Sequence, residues 1–294
     1  MHTTLIEPAE LAAAVQRAHW TVVDCRFDLA RPDWGASAYA TCHIPSAVYA
    51  HLDRDLSGPV SPESGRHPLP LPAVLAATLG RLGIDRTTQV VAYDQGNAAC
   101  AARLWWLLRW TGHSAVAVLN GGFAAWQQAG LPVSTEPTIA THRTFELQTH
   151  PTQLDPVATT QILGMISSGD LSNGRLALID ARGADRFAGD NETIDPVGGH
   201  IPGARNHPFT GNLDAQGRFR GAEELRSLWL TTLGRTPTNH AIAMCGSGVT
   251  ACHNLLALEI AGLQGARLYP GSWSEWIRDP RRPVARGPAN DAVF

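Results

Sequence analysis

Cys245 is the residue whose surroundings most clearly favour chemistry in this sequence. The apolar run Ala241–Met244 predicts a short buried strand, and a glycine-rich turn, residues 246–248, follows the cysteine. Apolar residues at helical spacing then continue to Ile260, so a helix is predicted to begin directly after the turn. Two glycines let backbone N–H groups turn inward, and a helix N-terminus adds partial positive charge. Both features favour an anionic sulfur and lower a thiol pKa, so the pattern predicts a reactive thiolate rather than an inert core cysteine.

The composition narrows the class of protein. The chain has 294 residues, of which 44% are hydrophobic and 17% charged, as expected for a globular protein with room for two domains. Its net charge of −3 does not favour a nucleic-acid partner, and it has neither a signal-peptide pattern nor an apolar run long enough to span a membrane. We therefore expect a soluble, cytoplasmic protein with no nucleic-acid or membrane partner.

The polar residues indicate neither a metal site nor a bound cofactor. The five cysteines include no CxxC pair, and the 12 histidines include no HExxH spacing, so neither a disulfide framework nor a metal centre is predicted. All 23 basic residues are arginine. The absence of lysine excludes a Schiff-base lysine and a P-loop lysine, so any cation at the site is an arginine or a protonated histidine.

An internal repeat organises the whole chain. Four motifs recur in the same order at a nearly constant separation, which indicates two tandem copies of one domain, with a small insertion near residues 190–199 of the second copy. In each copy short buried strands alternate with helices, which predicts an α/β fold with a mostly parallel sheet. The pairs are Asp24-Cys25-Arg26 with Asp180-Ala181-Arg182, His43-Ile44-Pro45 with His200-Ile201-Pro202, Val90–Asp94 with Ala241–Cys245, and Gly121-Gly122-Phe123 with Gly271-Ser272-Trp273.

The repeat also separates the roles of the two copies. We predict an N-terminal domain over residues 1–135, a linker over 136–154 and a C-terminal domain over 155–294. Residues 5–19 are predicted to form an amphipathic helix. Ligands of such sheets bind beyond the carboxyl ends of strands, where Cys245 lies. Asp94 takes the equivalent place in the first copy and cannot supply a thiolate, so the first domain is predicted to be non-catalytic.

Together these motifs resemble the tandem-domain rhodanese-like sulfurtransferases over nearly the whole chain. The resemblance implies two rhodanese-like domains, each a mostly parallel five-stranded sheet flanked by helices. The loop Cys245–Thr250 is similar to that of the 3-mercaptopyruvate branch, because the thiosulfate branch typically carries bulkier, basic residues where this chain has Gly246 and Ser247. The resemblance implies that Cys245 takes a sulfane sulfur from 3-mercaptopyruvate and holds it as a persulfide. The sulfur would then pass to cyanide or to a thiol such as thioredoxin or glutathione.

The resemblance also implies the other site residues. A serine–histidine–aspartate relay would consist of Ser247, His67 and Asp53, and Arg186 would bind the donor carboxylate. Members of the family carry a second arginine about nine residues further on, where this chain has Ile194-Asp195-Pro196; Arg66 is a candidate replacement. The persulfide would be stabilised by the loop residues Gly246, Gly248, Val249 and Thr250.

Three alternatives remain open at this point. The first is a thiosulfate:cyanide sulfurtransferase. A phosphatase of related fold would need an arginine six residues after the cysteine, where this chain has Ala251. A non-catalytic binding module is disfavoured for the second domain by its retained Cys245 and favoured for the first by Asp94.

Overall fold

The computed structural model describes residues 1–147 and 154–288, which form two compact units. Unit 1 contains residues 1–58, 69–147 and 214–219, and unit 2 contains residues 59–68, 154–213 and 220–288. The segment 59–68 thus packs with the second unit although it precedes most of the first in sequence. The predicted linker, 136–154, lies partly outside the described residues, and the predicted domain boundaries stay predictions.

Unit 1 is built on a parallel five-stranded sheet with the order β1-β5-β4-β2-β3. Its central strand is buried along its whole length, as expected for a parallel sheet covered on both faces. The strands are β1 (Leu5–Ile6), β2 (Trp20–Asp24), β3 (Val48–Tyr49), β4 (Gln89–Tyr93) and β5 (Val116–Leu119), and the helices are α1 (Pro8–Ala12), α2 (Trp34–Thr41), α3 (Leu52–Asp55), α4 (Pro72–Arg81), α5 (Ala99–Trp110) and α6 (Gly122–Gln128).

The predicted helix over residues 5–19 is wrong at both ends. Leu5 and Ile6 form an edge strand paired with β5, and only Pro8–Ala12 is helical. At the N-terminal end the cause is Pro8, whose ring disfavours helical geometry at the residue before it. Glu7 is accordingly extended, with φ −83° and ψ 153°, which lets the chain enter the sheet before the helix begins.

Unit 2 has a parallel sheet of four strands, in the order β7-β6-β8-β9, that matches unit 1 without its β1. Within the described residues, this sheet therefore has one strand fewer than the five that were predicted. Where a fifth strand would lie, the N–H of Val157 donates to the carbonyl of Leu268 at 2.7 Å, but Pro156 has no N–H with which to extend a ladder. The strands are β6 (Ala177–Asp180), β7 (Arg205–Asn206), β8 (Ala241–Met244) and β9 (Arg267–Leu268), and the helices are α7 (Thr159–Ser167), α8 (Ala184–Ala188), α9 (Ala222–Leu233), α10 (Thr250–Ile260) and α11 (Ser272–Trp276).

A buried aspartate–arginine pair ends β6 and braces the loops beside β8. The Nε of Arg182 donates to both carboxylate oxygens of Asp180, at 3.2 and 2.9 Å, and Nη2 donates to the carbonyl of Gly199 at 2.7 Å. The guanidinium also lies 4.6 Å from the ring centroid of Trp273 in α11. Burying an ion pair costs free energy unless the polar groups of both partners are hydrogen-bonded. The contacts of Arg182 meet this requirement, and they also position the loop at Gly199 and the start of α11.

Candidate active site

Cys245 lies directly after β8 and is 2% exposed. Its own N–H donates to the Ser272 hydroxyl at 3.0 Å, and its Sγ accepts a hydrogen bond from the N–H of Gly248 at 3.1 Å. The 11-residue helix α10 begins at Thr250, with Val249 as its N-cap residue. The sulfur is therefore held close to a helix N-terminus with a backbone donor already directed at it, a setting that stabilises negative charge.

The start of α11 holds the cysteine loop in place. The N–H of Trp273 donates to the carbonyl of Cys245 at 2.9 Å, and the N–H of Ser274 donates to that of Gly246 at 2.8 Å. Gly248 has φ +78°, and a Cβ there would lie 2.5 Å from the carbonyl oxygen of Pro270. A glycine is therefore required at position 248 by backbone conformation and by space.

Ser247 and His67 are in direct contact. His67 Nδ1 and Ser247 Oγ are 2.7 Å apart, and both residues are buried. His67 belongs to the segment 59–68 of unit 2, where the adjacent N–H of Arg66 donates to the Ser274 hydroxyl at 3.0 Å. The structure thus brings together two residues of the predicted relay beside the cysteine, while their catalytic roles stay predictions.

Asp53, the third predicted member of the relay, lies in unit 1. It occupies the first turn of α3, where its N–H donates to His51 Nδ1 at 3.1 Å. The neighbouring carboxylate of Asp55 accepts the N–H of His51 at 2.7 Å and pairs with Arg81. Asp55 therefore caps α3, and the assignment of Asp53 to the relay stays a prediction.

Two arginines lie over Gly246. A Cβ at this glycine would lie 3.0 Å from Nη2 of Arg66 and 3.7 Å from Nη2 of Arg186. A larger residue at this position would contact the ends of both flexible arginine side chains and require them to shift. The loop itself has no cationic side chain, so Arg66 and Arg186 supply the positive charge near Cys245.

Both arginines are bound to acids that the sequence analysis did not single out as site residues. Arg186 Nε donates to both carboxylate oxygens of Glu192 at 3.0 Å, and its Nη2 donates to Asp195 at 3.1 Å. Arg66 forms an ion pair with the same Asp195. Burial alone would raise the pKa of Glu192, but the hydrogen bonds from Arg186 and from the backbone N–H groups of Asp195 and Ile194 hold it below its usual range. The insertion near residues 190–199 was the available signal, because an element present in one copy alone is a candidate for function.

Within residues 1–147 and 154–288, no group of three or more histidine, cysteine, aspartate or glutamate side chains could hold a metal ion. In the same residues no helix has both the length and the apolar character needed to cross a membrane.

The fold is that of a rhodanese-domain protein. The rhodanese-like domain family matches residues 7–129 and 162–279, that is, once in each half of the chain. The chain therefore belongs to this family, and the predicted pair of rhodanese-like domains is confirmed.

Relatives and solved structures carry sulfurtransferase names. The chain is 48% identical to a "Probable 3-mercaptopyruvate sulfurtransferase" of Pseudomonas aeruginosa, over 96% of this chain and 98% of the relative. It is 40% identical to a "Putative thiosulfate sulfurtransferase" of Mycobacterium tuberculosis, over 97% and 98%. The structure of 3-mercaptopyruvate sulfurtransferase from Leishmania major superposes with a TM-score of 0.81 at 33% identity and covers 93% of this chain and 74% of that one. The prediction of an enzyme of the sulfurtransferase class is confirmed at this level, and the two donors in these names keep the question of the donor open.

Proposed function

We propose that this protein transfers a sulfane sulfur from 3-mercaptopyruvate to an acceptor through a persulfide on Cys245. The observation that carries the proposal is the 2.7 Å contact between Ser247 and His67 in the loop that holds Cys245. A mercapto-acid donor needs a proton moved from sulfur to carbon during the reaction, and this pair can conduct one. The 48% identity to a probable 3-mercaptopyruvate sulfurtransferase supports the same donor.

In the first half-reaction the Cys245 thiolate attacks the donor sulfur. The new S–S bond forms as the C–S bond breaks, and the bonding electron pair leaves as the enolate of pyruvate. The proton released from the donor thiol passes along Ser247 and His67 and is delivered to the enolate carbon, which yields pyruvate. Asp53 is the third residue assigned to this relay, on the family resemblance.

In the persulfide intermediate the outer sulfur carries a negative charge. The N–H of Gly248 already donates to Sγ, and we expect the other loop N–H groups, from Gly246 to Thr250, to stabilise the added sulfur together with the α10 N-terminus. Because these N–H groups are already positioned around the sulfur, they can stabilise the negative charge that develops on it with little rearrangement of the loop.

In the second half-reaction an acceptor removes the outer sulfur. A thiolate acceptor, such as that of thioredoxin or glutathione, forms its own persulfide and returns Cys245 as a thiolate. Cyanide accepts the same sulfur as thiocyanate. In each case one S–S bond breaks and one bond from sulfur to the acceptor forms.

Thiosulfate is the second candidate donor. It is favoured by Arg66 and Arg186, whose guanidinium groups lie at Gly246 and could bind the sulfonate oxygens that the loop itself cannot. Sulfite would then be the leaving group. The 40% identity to a putative thiosulfate sulfurtransferase supports this reading.

Intact-protein mass spectrometry distinguishes these proposals. The purified protein is incubated with either donor, and we expect one added sulfur atom on Cys245, formed faster from 3-mercaptopyruvate. Cys245→Ser should gain no sulfur, while the control Cys42→Ser, at a partly exposed cysteine of unit 1, should behave as wild type. Faster loading from thiosulfate would reverse the order of donors, and no loading from either would refute the persulfide mechanism.

A further inference from the structure

We propose that Asp195 is an internal carboxylate that competes with the donor carboxylate for Arg66 and Arg186, and so limits how strongly the site selects carboxylate-bearing donors. This inference rests on the proposed function and on the predicted role of Arg186 in binding the donor carboxylate. It assigns Asp195 as a residue that determines specificity.

The first observation is that one buried carboxylate binds both arginines. The Asp195 side chain is 2% exposed. Its Oδ1 pairs with Nη1 of Arg66, while its Oδ2 accepts Nη2 of Arg186 at 3.1 Å and Nη2 of Arg66 at 3.4 Å. Both carboxylate oxygens are thus engaged by guanidinium groups, the geometry that a bound carboxylate ligand would adopt.

The second observation is where these arginines lie. Both reach Gly246, the residue after Cys245, and their side chains are 24% and 18% exposed, in contrast to the buried Asp195. They therefore present N–H groups both to the cysteine loop and to solvent. The Nε of Arg66 is buried, and within the described part of the chain it has no hydrogen-bond partner.

The third observation is the balance of charge. The connected ion pairs around the arginines join Arg66, Arg182 and Arg186 to Asp180, Glu192 and Asp195, three cations to three anions. A donor carboxylate would enter as a fourth anion in a largely buried, already neutral cluster. It must displace Asp195 from an arginine or remain beside a like charge, and either course lowers the gain from binding.

The backbone of Asp195 is held independently of its side chain. Oε1 of Glu192 accepts the N–H groups of Ile194 and Asp195, at 2.9 and 3.0 Å. The loop can therefore keep its course when the Asp195 carboxylate is replaced by an uncharged group. A substitution at this position should thus change the charge beside the arginines rather than the fold.

The test compares donors with and without a carboxylate in wild type and Asp195→Asn. The two donors are 3-mercaptopyruvate and mercaptoacetone, in which a methyl group replaces the carboxylate. We expect the KM for 3-mercaptopyruvate to fall by about tenfold in the variant, with kcat little changed, and the KM for mercaptoacetone to change by less than about twofold. Asp170→Asn, which removes a charge from a surface pair with Arg175 in the same unit, is the matched control and should leave both values unchanged.

The failures of the two proposals are distinguishable. If wild type gains no sulfur from any donor, the proposed function fails. If it gains sulfur but Asp195→Asn leaves the KM for 3-mercaptopyruvate unchanged or raised, or shifts both donors equally, the assignment of Asp195 is wrong.

Binding of pyruvate, measured by calorimetry, tests the same point without turnover. We expect tighter binding to Asp195→Asn or Asp195→Ser than to wild type, and equal binding would contradict the proposal. Thermal unfolding shows whether each variant is folded. If neither variant is folded, the measurement on wild type still tests the proposal. Competition by Asp195 predicts that pyruvate binds to wild type with a millimolar or weaker Kd, and a micromolar Kd would overturn the inference.

Discussion

The loop after β4 in unit 1 and the loop after β8 in unit 2 share one backbone design but hold different groups. In unit 1 the N–H of Phe123 donates to the carbonyl of Asp94 at 2.8 Å, just as Trp273 donates to Cys245 in unit 2. The carboxylate of Asp94 then accepts four backbone N–H groups, whereas Cys245 Sγ accepts the N–H of Gly248. The four donors to Asp94 are Gly96 (3.1 Å), Ala98 (3.0 Å), Cys100 (2.9 Å) and Ala101 (3.2 Å).

This difference teaches that the fold supplies an anion site at this strand end and that the side chain decides how the site is used. Burial raises the pKa of the Asp94 carboxyl, and the four N–H groups oppose that rise. In unit 1 the anion site is thus filled by the protein's own Asp94 carboxylate. Unit 2 places Cys245 there, and under the proposed function the anion held at this strand end would be a transient sulfur.

The largest effect is expected from copying the first loop into the second. Cys245→Asp should reduce sulfur transfer to the background rate, because the nucleophile is lost and a carboxylate occupies its place. The same variant should be about 1–3 kcal/mol more stable than Cys245→Asn, whose amide would direct N–H groups toward N–H groups. Activity assays and chemical denaturation measure the two effects. Equal stability of the two variants would show that the second loop does not act as an anion site.

A smaller effect is expected from the proposed proton relay, which the first loop cannot form because Gly96 stands where the second loop has Ser247. His67→Ala should lower kcat with 3-mercaptopyruvate by about 10²–10⁴-fold, the usual contribution of a positioned acid–base group. Persulfide formation from thiosulfate should fall by less than about tenfold, because sulfite leaves without protonation at carbon. Stopped-flow loading with each donor separates the cases, with the surface variant His240→Ala as control. Equal losses with both donors would remove His67 from the relay.

The smallest effect concerns the acids that surround the arginines of the second loop. The pKa of Glu192 is lowered in the folded protein, so its stabilising contribution is present above its usual pKa near 4.5 and is lost as the pH falls through the lower folded value. Glu192→Gln should therefore lower the Tm by about 2–4 °C near neutral pH, and the difference from wild type should vanish in acid. Thermal unfolding across pH 3–7 measures it, with the surface-paired Glu224→Gln as control. A difference independent of pH would show that packing, not charge, is what Glu192 contributes.

Much of the fold was predictable because the duplication repeats local signals. Buried strands such as Gln89–Tyr93 and Ala241–Met244 are recognisable in the sequence as largely apolar runs. Asp94 and Cys245 directly follow these strands, so their positions were predictable as well. Edge strands were not predictable in this way. Leu5–Ile6 is only two residues long, and whether such a segment joins a sheet depends on a neighbouring proline and on the strand it meets.

The sequence by itself determined the duplication, the α/β fold and the single cysteine loop, because each of these can be recognised from short patterns of consecutive residues. Only the tertiary structure decided what surrounds that loop. It brought Arg66 from the segment 59–68 against Asp195 and Gly246, and His67 against Ser247. These pairs are far apart along the chain, and an ion pair or a proton relay depends on distances of about 3 Å, which no local pattern encodes.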